Sequence, residues 1–414
     1  VLIRCALTEG QKKSILEEIS AHQKKARRII CFAHKEDEDG LDGGFIYDGF
    51  VAVCDPVRKE VLKAVLECKR AGIKVKILTG DNAETAFAIA RELNLAEKPA
   101  EVISAQDIEK LDDEKLKQIL SRITVIARST PNIKLRVVKA LKEMGEVVAV
   151  TGDGINDAPA IKHADIGIAM GTNGSDISKE AADVVLLDDS FATVVKAISF
   201  VRNVYKNLQR FILFQLSVNL SALFFITVCA ILGANPPFST LQLLWINVIM
   251  DGPPALTLGM EAVNDRLMNN APVKRNEGIV NAKMLLRIIF NGVFVGGVML
   301  MQYLTNFLKI SNAESSGVIF TLFILFQLFN AFNSRELGAR SIFKSITENK
   351  IMLITFTCVF VLHVVIVQFF YQPFAVSPLS FLSWIKTLIT ALSVIVVSEI
   401  YKFLYRYVKT FTKG

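Results

Sequence analysis

Thr151-Gly152-Asp153-Gly154-Ile155-Asn156-Asp157-Ala158-Pro159 follows directly on the apolar run Val147-Val148-Ala149-Val150. The run predicts a buried parallel strand. The nine residues after it predict a loop with two carboxylates, an amide and two glycines. In open α/β sheets, ligands bind just beyond the carboxyl ends of the strands. An oxygen cluster there is where Mg²⁺ and a phosphoryl group are expected, because carboxylates suit a hard cation that keeps several waters.

Outward from this loop, residues 1 to about 205 alternate short apolar runs with amphipathic helical patterns. Candidate strands are Gly44–Cys54, Ile73–Leu78, Ile123–Ala127, Val147–Val150, Ile166–Ala169 and Val184–Leu187. Asp55-Pro56 predicts one helix start, as N-cap and N1 proline, and Thr130-Pro131 predicts another. The β-α-β-α order argues a parallel, doubly wound sheet. Residues 1–37 differ: a strand-helix-strand piece ending Ala26-Arg27-Arg28-Ile29-Ile30-Cys31-Phe32-Ala33 reads as the tail of a neighbouring domain.

From about Val201 the composition changes. Apolar stretches fall near 211–232, 241–258, 286–304, 318–332, 351–370 and 381–403. A span needs about 20 such residues, so six transmembrane helices are expected. Loops on one side hold a single cation, Lys309. Those on the other hold Arg266, Lys274, Arg275, Lys283, Arg287, Arg335, Arg340, Lys344, Lys350, Lys402, Arg406, Lys409 and Lys413. This bias predicts that the α/β half and the C-terminus are both cytoplasmic.

The bulk figures agree. The 414 residues are 52% hydrophobic with 28 Phe, and mean hydropathy is +0.41, too apolar for a soluble enzyme of this size. The net charge of +7 is accounted for by basic loops at a lipid surface, and no nucleic-acid partner is expected. Six Cys show no CxxC or paired spacing, so neither a zinc site nor a disulfide framework is expected. Val1-Leu2-Ile3-Arg4 has no initiator Met and no signal-peptide pattern, which reads as the middle of a chain.

Three strand ends converge in this reading. The first gives Thr79-Gly80-Asp81, whose backbone could hold phosphoryl oxygens, although Thr-Gly-Asp is also a common turn. The second gives Arg128, with Lys134 on the next helix as a point charge for a phosphoryl oxygen. The third gives Asp153, Asn156 and Asp157 for Mg²⁺.

In the apolar half, Trp245-Ile246-Asn247-Val248-Ile249-Met250-Asp251-Gly252-Pro253-Pro254-Ala255 places a carboxylate inside a span. That is costly and marks function by default. Asn247 and Asp251 are four apart, which predicts one shared helix face. Gly252-Pro253-Pro254 should unwind the helix, which is tolerated where backbone lines a cavity. The pair forms a candidate hard-cation site for Ca²⁺ or Mn²⁺; the plainer reading is an Asn–Asp pair that joins helices. Gln215, Ser217, Asn219, Gln327, Asn330 and Asn333 also allow interhelical hydrogen bonding. His363 reads as a packed core residue and Glu399 as interfacial.

Thr79-Gly80-Asp81, Asp55-Pro56-Val57-Arg58 and the Thr151–Pro159 string resemble the phosphorylation-domain motifs of P-type cation ATPases. The resemblance covers nearly the whole chain. It implies a haloacid-dehalogenase-like (Rossmannoid) α/β phosphorylation domain followed by an all-α six-helix transmembrane domain. By the same likeness, residues 1–37 are a remnant of the nucleotide-binding domain, 38–205 the phosphorylation domain and 206–414 the membrane domain. It implies that Thr79, Gly80 and Asp81 meet the phosphoryl group, that Lys134 stabilises it, and that Asp153 binds Mg²⁺ with Asn156 and Asp157 in support. Arg58 is implied near the nucleotide phosphates of ATP, with Arg128. Asn247 and Asp251 match ion ligands of calcium-pumping members, and Asn219 and Gln327 match contributing positions. Ala222 and Met250 stand where two-site pumps carry glutamate and threonine. The chain is thus more similar to one-site plasma-membrane, bacterial or secretory-pathway pumps. Leu256, where secretory-type pumps carry glutamine, favours Ca²⁺ over Mn²⁺.

The family's nucleophile, the aspartate of Asp-Lys-Thr-Gly-Thr, is absent from these 414 residues. So are the Thr-Gly-Glu loop and the first four membrane helices. The resemblance therefore implies the C-terminal half of an ATP-driven Ca²⁺ pump that works through an aspartyl phosphate. The missing N-terminal half would come from the same parent or from a separate polypeptide. The helix from about Phe191 through Leu232 is expected to couple phosphorylation to the ion site. Two other classes stay open: a non-catalytic or complementing membrane subunit, and a membrane-anchored phosphatase using Asp55.

Overall fold

The computed structural model describes residues 1–23, 27–35, 44–54, 57–338, 340–344 and 346–411. Ala26, Asp55, Pro56 and Lys413, named above, lie outside the described residues. The chain divides into two compact units, 1–199 with 265–276, and 200–264 with 277–414.

The first unit opens with α1 (Glu9–Gln23), β1 (Arg27–His34) and β2 (Ile46–Cys54). β1 and β2 pair antiparallel, with a register shift between Phe32 and Ala33. Then come α2 (Lys59–Arg70), β3 (Ile77–Leu78), α3 (Ala83–Glu92), β4 (Val102–Ser104), α4 (Ala105–Glu109), α5 (Asp113–Leu120), β5 (Val125–Ala127) and α6 (Pro131–Glu143). They are followed by β6 (Ala149–Gly152), α7 (Ala158–His163), β7 (Ile166–Met170), α8 (Asp176–Ala181) and β8 (Val184–Leu186). Two three-stranded parallel sheets result, ordered β3-β5-β4 and β6-β7-β8.

The helix starts follow their caps. Asn82 accepts from the Thr85 amide at 2.9 Å and opens α3. Thr130 accepts from Ile133 at 3.4 Å and opens α6, with Pro131 in its first turn, as the sequence predicts. α2 begins at Lys59 behind Arg58, three residues after the proline expected to start it. Ile108, Leu116, Leu120, Ile126 and Val137 form the centre of one core cluster.

Two strands differ from expectation, and among the described residues each has one neighbour. β3 is laddered at Ile77–Leu78 alone, because residues 73–76 find no partner strand. β6 starts at Ala149, opposite Ile166; the Val148 amide is instead taken by the Asp165 carboxylate at 2.9 Å. β5, flanked on both sides, is fully buried, whereas no residue of β3 or β6 is. β4 carried too short an apolar run to be expected at all.

α9 (Phe191–Ile231) is one continuous helix whose residues belong to both units. The second unit continues with α10 (Thr240–Trp245), a π-helical turn (Ile246–Met250) and α11 (Gly252–Gly259). α12 (Ala282–Thr305), α13 (Ser315–Arg335), α14 (Lys350–Phe369) and α15 (Phe381–Phe411) follow. Among the described residues five helices are long and apolar enough to cross a membrane. The expected second span is the broken α10–α11 segment, which falls outside that count. α13 is central, buried from Val318 through Arg335 except at Phe329, as an all-round apolar helix should be. Gly292 and Gly296 of α12 meet Leu220 and Phe224 of α9, where an added Cβ would come within 2.8 and 2.6 Å. Small residues at this spacing let helix backbones approach.

Candidate phosphoryl-transfer and ion sites

In the first unit the loops after β3, β5 and β6 come together at their carboxyl ends. The Thr79 amide donates to Ile126 O at 3.0 Å, and the Ser129 and Arg128 amides donate to Thr79 O and Asp81 O at 2.8 and 2.9 Å. Thr79 Oγ1 donates to Asp81 Oδ2 at 2.9 Å and accepts from the Asp81 amide at 3.1 Å. Arg128 holds a left-handed φ of 53°, a strained setting for a non-glycine residue of the kind found at functional sites.

The Lys134 Nζ of α6 reaches Asp157 Oδ1 at 2.5 Å. Asp157 Oδ2 accepts from the Gly154 amide at 3.3 Å. Gly152 makes this possible: a Cβ there would sit 2.4 Å from the Asp157 Cβ. Asp153 points an exposed side chain outward while its backbone is pinned, its carbonyl accepting from the Ser175 amide at 2.8 Å and Ser178 Oγ at 3.0 Å. Asn156 is exposed beside it.

Thr79, Asp81, Arg128, Lys134 and Asp157 are thus joined by one set of hydrogen bonds and short loops, with Gly80, Asp153 and Asn156 at its edge. Arg58 stands apart: its Nη1 lies 3.5 Å from Asp189 O. Two supports were not foreseen. Ser178 is fully buried under Asp153. Asp189 gathers the amides of Gly171, Thr172 and Asn173 at 2.6, 3.0 and 2.8 Å. Desolvation works against its ionisation, but the amides of Thr172, Asn173 and Gly171 outweigh it and hold the carboxyl below the usual range. The Asn173-Gly174-Ser175 turn and the Asp188-Asp189 pair were the available signals.

These residues fit Mg²⁺ through Asp153, whose carboxylate is exposed on a fixed backbone. Asp157 spends its oxygens on Lys134 and Gly154, which suits a residue that shapes the loop and positions the lysine. Asp55 lies outside the described residues.

In the second unit, Asp251 is 2% exposed. Its Oδ2 accepts from Gln215 Nε2 at 3.3 Å, and its Oδ1 has no partner among the described residues. Asn247, four residues before the buried Asp251, is exposed. The turn between them is π-helical: the Asp251 amide bonds Ile246 O five residues back at 2.9 Å. Pro253 and Pro254 have no N–H, so the Ile249 and Met250 carbonyls lose their i+4 donors. Asn219 is exposed as well. Gln327 is fully buried, donates to Ser221 Oγ at 2.8 Å and keeps Oε1 unpaired.

The remaining polar residues mostly tie helices together. Asn291 donates to Asn330 at 3.2 Å, and Asn333 to Val394 O at 3.0 Å. Ser217 instead bonds Leu213 O within its own helix. His363, packed by Phe320 and Trp384, meets Thr321 Oγ1 at 3.1 Å. Glu399 pairs with Lys402 at 2.9 Å. Among the described residues no three His, Cys, Asp or Glu side chains form a metal-binding group.

Residues 235–404 match the family model of the cation transporting ATPase C-terminus. Residues 8–165 and 134–198 match haloacid dehalogenase-like hydrolases. The chain is 40% identical over 304 residues to calcium-transporting ATPase 1 of Bacillus cereus, covering 72% of this chain and 34% of that protein. It is 36% identical to the plasma membrane-type calcium-transporting ATPase 4 of Arabidopsis thaliana, covering 94% of this chain and 39% of that protein. With calcium-transporting ATPase 1 of Yarrowia lipolytica it shares 34% identity, over 95% of this chain and 44% of that protein. The chain therefore spans well under half the length of the curated relatives it matches. It belongs to the P-type cation-transporting ATPases, and it holds a haloacid dehalogenase-like domain and a multi-pass membrane domain of that family.

Proposed function

We propose that this chain is the C-terminal part of an ATP-driven pump that exports Ca²⁺ from the cytoplasm. The observation that carries the reading is the pair of open sheet edges, β3 and β6. Among the described residues each is paired on one side only, and each ends in a loop of the proposed phosphate site. Lys74 before β3 and Glu146 before β6 approach to 3.5 Å through their long side chains. Neighbouring strands lie about 4.8 Å apart, so those side chains can reach across a gap one strand wide. A parallel strand from the missing segment, filling that gap, would end beside Thr79, Lys134 and Asp153. An aspartate at its tip is the phosphoryl acceptor in this reading.

Its carboxylate oxygen attacks the γ-phosphorus of ATP, the bond to the bridging oxygen breaks, and ADP leaves. Thr79, Gly80 and Asp81 hold the phosphoryl oxygens, and Lys134 neutralises charge on them. Asp153 would hold Mg²⁺, with Asn156 and Asp157 in support, and when bound the ion supplies further charge neutralisation. Arg58 and Arg128 serve the nucleotide side. In the proposed division, residues 1–37 finish the nucleotide-binding domain, 38–205 form the phosphorylation domain and 206–414 the membrane domain. Asp251, with its unpaired oxygen and the carbonyls freed by Pro253 and Pro254, is the core of the Ca²⁺ site. Asn219 and Asn247, both exposed in this chain, and Gln327 are its further ligands. α9 transmits the phosphorylation state. The cation bias of the loops supports a cytoplasmic α/β half and C-terminus.

The test is ⁴⁵Ca²⁺ uptake into vesicles that contain this chain together with the preceding segment of its parent. Uptake should need ATP and both parts, and Asp251→Asn should abolish it. Unchanged uptake in Asp251→Asn would remove the ion-site assignment. Equal uptake of ⁵⁴Mn²⁺ would broaden the cargo.

A further inference from the structure

We infer that Glu261 is the positioning residue of α11, the anchor that sets where Asp251 stands. The inference rests on the reading of Asp251 as an ion ligand. α11 has only eight residues, and the π-helical turn and two prolines sever it from the regular hydrogen-bond ladder of α10. Its backbone therefore does not fix its height or rotation from the Asp251 end.

The other end is held by a closed ring of side chains. Glu261 lies two residues past α11 and is 12% exposed; Arg335, the last residue of α13, is 4% exposed. Arg335 Nε and Nη2 donate to Glu261 Oε1 and Oε2 at 2.5 and 3.1 Å. This two-point geometry fixes orientation as well as distance. Asn349, the N-cap of α14, adds a donor to Glu261 Oε1 at 2.8 Å and another to Thr257 O at 3.2 Å. From α9, Asn203 Nδ2 donates to Glu261 O at 2.8 Å. Asn207 Nδ2 donates to Gly259 O at 2.9 Å and Glu261 O at 3.2 Å. Arg210 closes the ring, its Nε donating to Arg335 O at 2.8 Å.

A helix end leaves carbonyls without intrahelical partners. Here side chains from two other helices take up those of Thr257, Gly259 and Glu261. Asn203, Asn207 and Arg210 lie at i, i+4 and i+7, one face of α9. α9 and α11 are thereby joined at one end as a single body, and α11 carries that constraint through roughly 12 Å of helix to Asp251. Glu261 itself touches no cargo in this arrangement. Its role is to make α11 follow α9.

The experiment is hydrogen–deuterium exchange by mass spectrometry on the chain in lipid nanodiscs, comparing wild type with Glu261→Gln and Asn207→Ala. Loss of a buried charge-assisted pair, or of a carbonyl cap, should speed exchange across residues 255–261 at least about tenfold. Exchange in the buried centre of α13 should stay as in wild type. Asn207→Ala leaves the ion pair intact and keeps the test valid should Glu261→Gln fail to fold. Exchange across 255–261 within twofold of wild type in the folded variants, or equal acceleration throughout the unit, overturns the proposal. In the reassembled pump, Glu261→Gln should raise the Ca²⁺ concentration for half-maximal uptake about tenfold and leave the KM for ATP unchanged; a matching rise in both overturns it. If wild type transports no Ca²⁺ at all, the functional reading fails, and the exchange measurement still decides the anchoring.

Discussion

Lys134 Nζ stands 2.5 Å from Asp157 Oδ1, with 17% and 14% of the two side chains exposed. The pair joins α6, which follows β5, to the loop that follows β6. Lys134→Met should leave the fold intact and cut phosphoenzyme formation from ATP by about 10²–10³-fold, the usual scale for removing a preorganised donor from developing charge. Radiolabelled phosphoenzyme in the reassembled pump is the measurement. Formation at the wild-type rate would exclude the lysine from phosphoryl transfer.

Two glycines should separate structure from chemistry. At Gly152 an added Cβ meets Asp157 at 2.4 Å, whereas at Gly80 nothing lies within 4 Å. Gly152→Ala should cost about 1–3 kcal/mol, as forced overpacking does. Gly80→Ala should stay within about 0.5 kcal/mol of wild type and still impair phosphorylation, because in the proposed function the room above Gly80 takes phosphoryl oxygens. Thermal unfolding of the chain and phosphoenzyme assays distinguish the two.

Asp165 gives a pH signature. Burial raises its carboxyl, but the Val148 amide, Arg275 and Lys142 outweigh burial and hold it below the ordinary range. A depressed folded pKa contributes stability above the unfolded value near about 3.9, and that contribution is lost as pH falls through the lower folded value. Asp165→Asn should therefore be about 1–2 kcal/mol less stable than wild type at pH 7. The gap should close as melts are repeated toward pH 3 and below. A gap that persists unchanged in acid would assign the effect to packing.

Pro253 and Pro254 deny donors to the Ile249 and Met250 carbonyls. The double variant Pro253→Ala, Pro254→Ala restores them and lets the ladder run on. It should be no less stable than wild type, yet its Ca²⁺ affinity in uptake assays should fall at least about tenfold as the freed carbonyls are withdrawn into the helix. Unchanged affinity would show that those carbonyls face no ion.

The loops after β3, β5 and β6 are readable in the sequence because each is short and local: the strand just before it fixes where Thr79, Arg128 or Asp153 stands. The helix start at Thr130 belongs to the same class. What could not be read depended on partners. The expected β3 is too long and the expected β6 out of step, since strand length is set by pairing and each has one partner strand among the described residues. No residue type announces the π-helical turn at Ile246–Met250. The ring around Glu261 draws on four helices, and nothing in its spacing along the chain points to it. Buried Ser178 and the amide nest on Asp189 left only the Asn173-Gly174-Ser175 turn and the Asp188-Asp189 pair as signals.

The unpaired edges of β3 and β6 have a consequence for handling the molecule. Bare strands offer rows of free amides and carbonyls, and such rows recruit strands from any chain that meets them. Produced alone, this polypeptide should be prone to self-association through its α/β unit even when detergent satisfies its helices. A short peptide that copies the strand proposed to fill the gap should act as a solubilising chaperone. Solubility in its presence would then report, without any turnover, whether the gap has been filled.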